Sequence, residues 1–417
     1  MELLRIITAG SVDDGKSTLI GRLLYDAKAL QKDQLRSLER LSRKKGLSYL
    51  DFSLVTDGLK DEMAQGITID IAHRYFNTKH RKYIIADTPG HVEYTRNYVT
   101  AASGAQVAVL LIDARKSVTT QTRRHAWIAA MMGIRHLVFC INKMDLVNYS
   151  VDVYNSIKET LKQMVSALDV IDVFYIPVVA LQGENVVAAG NSMPWYRDKS
   201  VLATLEEVTV NNYNETRGLR FAVQTAIRNE MPGATDNRLY AGRIDAGQMR
   251  QGDEITVLPA GTVSHIKNIF FSGQIIESAR SGMSITISLE DDIDISRGSV
   301  IVSKHNMPFV TQEIEIVTSV LAKIILKPND KYAVRTATQE AKAIVRSISY
   351  KLDIDNMRQV TSDQLHVNDL GAVKLYLSQP IVVDQYEKER TTGGVILIDE
   401  RSNDVVAAGL VASCINM

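Results

Sequence analysis

Residues 3–17 read LLRIITAGSVDDGKS, an apolar run that closes on a glycine and passes within a few residues into a second glycine, a lysine and a serine. Gly10, Ser11, Val12, Asp13, Asp14, Gly15, Lys16 and Ser17 satisfy G-x-x-x-x-G-K-[ST]. The pattern has its proper setting, an apolar strand before it and a helical periodicity over 16–30 after it. Glycines let the backbone curl until several N–H groups point inward at a helix N-terminus, where the dipole favours phosphate oxygens. Lys16 then brings a cation to the β and γ phosphates and Ser17 a hydroxyl to Mg2+, with Thr18 next in the nucleotide-binding set.

Asp87, Thr88, Pro89, Gly90 and His91 close a second apolar run. The C-terminal tip of a strand is where open α/β sheets bind ligands, so Asp87 is expected to hold Mg2+ through a water. Gly90, with no Cβ, is expected to bring its N–H up to a γ-phosphate. Asn142, Lys143, Met144 and Asp145 follow a further strand. A carboxylate accepts from both N1–H and the N2 amino group of guanine, a donor pair adenine lacks; this makes Asp145 the base-specifying residue, with Asn142 and Lys143 in its loop. After the next strand, Val179, Ala180 and Leu181 stand where a backbone N–H meets guanine O6. In this order the four segments resemble a GTPase of the P-loop class, which implies GTP and Mg2+ as ligands.

The rest of the chain frames this site. At 417 residues it has room for two or three domains at about 150 residues each. Through residue 210, apolar runs at 3–9, 83–87, 107–113, 137–142 and 174–178 alternate with helical patterns at 16–30, 92–103, 121–132 and 151–168. That alternation predicts a mostly parallel sheet with helices on both faces, with 69–76 as an edge strand. Beyond 211–214 the texture turns to short β-branched runs about ten residues apart, at 219–225, 240–244, 254–259, 263–271 and 283–289. A second series follows, at 312–325, 332–336, 342–350, 371–377, 381–383 and 394–399. Both series predict small β-barrels. The expected domains are therefore a P-loop domain at 1–210 and barrels at 217–303 and 309–417.

Composition excludes several functions. Residues 1–210 carry 26 basic and 23 acidic side chains and residues 211–417 carry 22 and 25, so neither part has the basic excess of a phosphate-backbone binder. The longest uncharged run, 97–112, is sixteen residues against the roughly 18 to 20 a membrane span needs. An acid at position 2 and an immediate glycine motif do not make a secretory signal. Two cysteines, Cys140 and Cys414, leave no disulfide framework and suit a reducing cytoplasm. No nucleic-acid or membrane partner is expected. Arg36, Arg40, Arg43, Lys44 and Lys45 recur at helical spacing and read as a solvated helix face. Trp195 and Tyr196 read as loop packing.

Gln65, Gly66, Ile67, Thr68, Ile69 and Asp70 resemble the first switch of the translation-factor GTPase superfamily. That resemblance implies Thr68 as a Mg2+ ligand in the GTP state and His91 as the catalytic residue that positions the attacking water. Elongation factors of the Tu type usually have a His where this chain has Asp14. Residues 11–26, SVDDGKSTLIGRLLYD, instead closely resemble the large, GTP-hydrolysing subunit of bacterial sulfate adenylyltransferase. So do 57–59, 84–91, 94–97, 111–115, 192–196, 294–298 and 392–394. The resemblance implies an enzyme partner. A small subunit that binds ATP and sulfate makes adenylyl sulfate (APS), and GTP hydrolysis drives that step in sulfate assimilation. A translation elongation factor-like GTPase that binds aminoacyl-tRNA or the ribosome is the alternative. Val179 stands where the family usually has Ser, so the backbone contact at Ala180 is expected to survive while side-chain support of that loop is lost. Met63 and Ala64 replace a common acidic-basic pair.

Overall fold

The computed structural model describes residues 2–44, 46–47, 49–55, 70–210, 218–228 and 238–415. The chain divides into two compact units, residues 1–210 with 353–358 and residues 211–352 with 359–417. In the first, strands β1 (Glu2–Ala9), β2 (Ala72–Asn77), β3 (Arg81–Asp87), β4 (Val107–Asp113), β5 (His136–Asn142) and β6 (Asp172–Pro177) form one sheet in the order β2-β3-β1-β4-β5-β6. Every pairing is parallel except that of the edge strand β2. All seven residues of β4 and of β5 are buried, as central strands covered on both faces require. The register sets Thr8 beside Asp87 and Asp113 beside Asn142. The parallel strands therefore deliver the motif residues to one edge of the sheet, the carboxyl end.

The helices are α1 (Lys16–Asp26), α2 (Lys32–Lys44), α3 (Thr95–Ala102), α4 (Thr120–Met131), α5 (Val151–Val165) and α6 (Val201–Glu207). α1 stops four residues short of the predicted 30 because Lys28 takes a left-handed φ of 57°, which ends a helix. The predicted helix at 92–103 starts instead as a 3-10 turn over Val92–Tyr94. α6 was not foreseen; seven residues hold too few turns to show a period, although Ser200 caps it by accepting from the Ala203 N–H at 3.3 Å. Arg36, Arg40, Arg43 and Lys44 lie exposed on α2; Lys45 lies outside the described residues. Trp195 packs on Tyr154 of α5, ring centroids 5.0 Å apart, and its indole N–H donates to the Tyr149 carbonyl.

The second unit holds two closed antiparallel barrels. β7 (Arg220–Arg228), β8 (Arg238–Ala246), β9 (Gln248–Arg250), β10 (Glu254–Leu258), β11 (Thr262–Phe271), β12 (Gln274–Ile276), β13 (Ser278–Arg280), β14 (Ser284–Leu289) and β15 (Val300–Ser303) make up the first. Its ring runs β10-β15-β7-β8-β14-β11 and closes by pairing β10 with β11. β16 (Phe309–Val320), β17 (Lys331–Arg335), β18 (Glu340–Asp353), β19 (Arg358–Val360), β20 (Leu370–Val383), β21 (Gly394–Ile398) and β22 (Val405–Ile415) make up the second, closed by β17 and β18. The runs predicted at 371–377 and 381–383 are one strand, β20, whose register slips beside Thr311 and Glu313. β15 and β22, each a strand of its barrel's ring, escaped the sequence reading.

A buried ion pair joins the barrels. The Arg220 guanidinium donates to both oxygens of Asp384 at 2.8 Å, to the Leu219 carbonyl at 3.0 Å and to the Asn306 carbonyl at 2.8 Å. Thr392 donates its hydroxyl to the same carboxylate at 2.6 Å. Val300, Val302, Leu258 and Val382 form an apolar patch across the same junction. Removing one partner of such a pair leaves the other charge buried alone. Asp384→Ala is expected to cost about 3–5 kcal/mol, read as a lower urea midpoint, whereas Arg220→Met combined with Asp384→Leu recovers most of the loss.

Candidate functional site

β1 ends at the glycine loop, which turns through left-handed backbone at Asp13 (φ 68°) and Gly15 (φ 95°) before α1 begins. A Cβ on Gly15 would lie 2.5 Å from the Asn142 amide nitrogen, so the loop tolerates only glycine there. The Lys16 ammonium donates to the carbonyls of Gly10 at 3.0 Å and Ser11 at 2.9 Å, and the residue is 7% exposed. Burial pulls its pKa down against the opposing pull of Asp87, Asp14 and Asp13. Among the described residues it has no carboxylate in ion-pair contact, so a buried cation is left to meet an anion. Ser17 and Thr18 open α1 beside it, half-buried.

β3 delivers Asp87, fully buried, next to Thr8, whose hydroxyl donates to it at 3.3 Å. Thr88 donates its own hydroxyl to the Thr8 carbonyl at 2.7 Å, which binds the start of this turn to β1. A Cβ on Gly90 would stand 2.5 Å from the Lys16 ammonium and 2.7 Å from the Gly10 carbonyl oxygen. The backbone at Gly90 thus lies directly on the phosphate loop. His91 is exposed, its Nδ1 accepting from the Glu93 N–H at 3.3 Å. Thr68, with Met63 and Ala64, lies outside the described residues.

The tip of β5 ties the loops together. Asn142 donates from its amide nitrogen to the Asp14 carbonyl at 2.8 Å and accepts on its amide oxygen from the Ala180 N–H at 3.0 Å. Lys143, left-handed at φ 63°, reaches the Asp13 carbonyl and the Asp113 carboxylate. Asp145 is partly exposed and carries no such side-chain tether among the described residues. Val179 is buried and its N–H donates to the Glu184 carbonyl, while its own carbonyl accepts from Gln182 and Gly183. Backbone pairing thus supports the turn where a Ser side chain was expected to be missed. The Ala180 N–H is occupied by Asn142; the Leu181 N–H makes no hydrogen bond among the described residues.

Sequence reasoning missed Asp113. It sits at the tip of β4, 1% exposed, where burial pushes its pKa up, but hydrogen bonds from Arg115 and Lys143 outweigh that and hold it well below the carboxylate range. Its only signal was an Asp at a strand end. Thr119 was missed as well: its hydroxyl meets that of Ser11 at 3.1 Å and caps α4. No group of three or more His, Cys, Asp or Glu side chains able to hold a metal occurs among the described residues. Ser17, at the start of α1, and the buried Asp87 are oxygen donors of the kind Mg2+ takes.

Residues 1–250 match the family model of the elongation factor Tu GTP binding domain, and residues 312–412 that of the GTP-eEF1A C-terminal domain-like family. The chain is 46% identical to the "Bifunctional enzyme CysN/CysC" of Mycobacterium tuberculosis, over 98% of this chain and 67% of that protein. It is 43% identical to "Sulfate adenylyltransferase subunit 1" of a Sulfurovum species, over 98% of this chain and 87% of that one. Among solved structures it is similar to sup35 complexed with GDP, at 23% identity and a TM-score of 0.45, covering 100% of this chain and 95% of that one.

Asp14 is the unusual member of the loop. It is 2% exposed; one oxygen accepts from the Ser11 N–H at 2.6 Å and the other has no hydrogen-bond partner among the described residues. Burial raises its pKa above the ordinary 3.8. A carboxyl that holds its proton more tightly when folded favours the fold most below 3.8, and that advantage is lost as pH rises through the folded value. Asp14→Asn keeps an acceptor for Ser11 and removes the charge. Urea unfolding without nucleotide is expected to show the variant gaining on the wild type as pH rises from about 4 to 7.

Proposed function

The chain belongs to the sulfate adenylyltransferase subunit 1 family of GTPases, and from that premise we propose that it is the GTP-hydrolysing subunit of that enzyme. Its hydrolysis of GTP drives the formation of adenylyl sulfate from ATP and sulfate, a reaction carried by a separate small subunit. The observation that carries the reading is the buried Lys16 ammonium, bonded to two carbonyls of its own loop, in a loop that Asn142 ties to the base-side turn. A translation factor would share the GTP-binding domain. The relatives that match 98% or more of this chain at 40–46% identity carry the sulfate adenylyltransferase or CysN name.

Lys16 and the amides of residues 13–18 hold the phosphates, and Asp145 accepts from guanine N1–H and the N2 amino group, with Asn142 and Lys143 fixing its loop and the 179–181 turn offering an N–H to O6. Mg2+, when bound, neutralises charge on the β and γ phosphates; Ser17 and Thr68 are its proposed ligands, with Asp87 reaching it through water. His91 orients the water that attacks the γ-phosphorus. A P–O bond forms to that water as the bond to the β–γ bridging oxygen breaks, leaving GDP and, after loss of the water's proton, phosphate. We place the domain limits at 1–210, 217–303 and 309–417. No described helix is long and apolar enough to cross a membrane; a cytoplasmic site, with Cys140 and Cys414 free, completes the proposal.

His91→Ala is expected to lower kcat for GTP by about 100-fold or more, with little change in GTP affinity, because placing a water acts on the transition state; single-turnover hydrolysis beside equilibrium GTP binding checks both. The chain alone is expected to hydrolyse GTP slowly and to release no pyrophosphate from ATP and sulfate, and both activities to rise when the small subunit is added. Fast hydrolysis by the lone chain, or indifference to the small subunit, would overturn the coupling.

A further inference from the structure

We propose that Arg22 is a positioning residue for base recognition. It fixes the 179–184 turn through the Leu181 carbonyl and so sets how strictly the substituent at purine C6 is read. The inference rests on the guanine reading above and adds to it a residue from the phosphate side of the site.

Arg22 lies in the second turn of α1, the helix that begins at the phosphate loop. Its Nε donates to Asp26 at 2.7 Å, one turn along the same helix, and its Nη1 donates to the Leu181 carbonyl at 3.2 Å. The guanidinium carbon is 5.3 Å from the ring centroid of Phe52 and 6.0 Å from that of Tyr25, and those rings are 5.2 Å apart. A Cβ on the adjacent Gly21 would run into the Phe52 carbonyl, so the backbone of Phe52 lies on α1. On the turn itself, a Cβ on Gly183 would stand 2.5 to 2.7 Å from three guanidinium atoms. Asp26, two aromatic rings and a glycine backbone therefore leave the guanidinium one place to be, and that place holds the Leu181 carbonyl.

The other tethers of the turn include Val179 N–H to the Glu184 carbonyl, Gln182 and Gly183 N–H to the Val179 carbonyl, and Ala180 N–H to Asn142. None of them bonds Leu181, whose N–H has no partner among the described residues. Arg22 is what orients that residue. A lysine has no planar fork to serve Asp26 and Leu181 together while stacking on Phe52, so a charge-conserving change is not conservative here.

The test is displacement of a fluorescent GDP by GDP, 6-thio-GDP and inosine diphosphate, for the wild type, Arg22→Lys and Arg22→Gln. 6-Thio-GDP differs from GDP only at C6, where a larger, weaker acceptor replaces oxygen; inosine diphosphate differs only by lacking the N2 amino group that Asp145 reads. Both variants are expected to lose about ten-fold of the preference for GDP over 6-thio-GDP and to keep the preference over inosine diphosphate. Each ratio is taken within one preparation, so a smaller folded fraction cancels. Unchanged 6-thio ratios, or both ratios falling together as in a general loosening, overturn the role of Arg22. A wild type indifferent to both analogues overturns the guanine reading instead.

Discussion

Burying a lysine ammonium without a carboxylate against it is the constraint from which the rest of the nucleotide site follows. Lys16 gives up water and receives two carbonyl oxygens, from Gly10 and Ser11. Those oxygens can converge on one point only if the loop passes through left-handed backbone at Asp13 and Gly15. A loop of that shape has few internal hydrogen bonds to hold it, so its outer carbonyls are claimed by side chains from elsewhere, Asp13 by Lys143 and Asp14 by Asn142. The demand of one cation is thereby transmitted to the tip of β5, which carries the loop proposed to read the base.

Asn142 couples the phosphate loop to the turn proposed to face the base. Its single amide spends the donor on the phosphate loop and the acceptor on the turn after β6, so a shift in either loop is felt by the other. Asp113 performs a related service with charge. Fully inside the sheet edge, it is held ionised by Arg115 and by Lys143, which keeps the lysine extended toward Asp13 instead of drifting into solvent. Such a network is strong only when every member is satisfied, and the buried Asp14 oxygen without a partner is its one evident weakness.

The sheet and its loops were legible because their signals are local: a strand ending in glycine, an Asp at a strand tip, a four-residue base loop. Each was placed by spacing, and the parallel order of the sheet follows from their alternation with helices. Contacts across long stretches of chain were not legible. Ser11 meets Thr119 and Arg22 meets Leu181, 108 and 159 residues apart, and nothing in the pattern at either end names the other. The second barrel was read less well than the first for a different reason. A slip in register lets one long strand bend without breaking, so the polar residues between 377 and 381 looked like a boundary. Val179 is instructive in the opposite sense, since losing a Ser hydroxyl seemed to weaken a turn that backbone hydrogen bonds in fact carry.

The two ends of the site differ in how completely this chain determines them. On the side proposed to read the base, Asn142, Lys143 and Arg22 are each held by at least one contact from a distant element, so that part of the site is ordered before any nucleotide arrives. On the side proposed to meet the γ-phosphate, Gly90 is pressed on the loop, yet His91 is exposed, and among the described residues its ring meets only local partners, the amide of Glu93 and the edge of Tyr94. An exposed imidazole has more than one staggered rotamer open to it, and the proposed role needs one that orients a water. A partner changes the rate of hydrolysis only to the extent that it interacts differently with those alternatives. Whatever favours the productive one must in turn be bound more tightly by the chain when that arrangement is populated. Under the proposed assignment, a base-side turn held from several elements beside an exposed His91 suits an energy-coupling GTPase: nucleotide identity stays constant and the timing of cleavage is left to be set from outside.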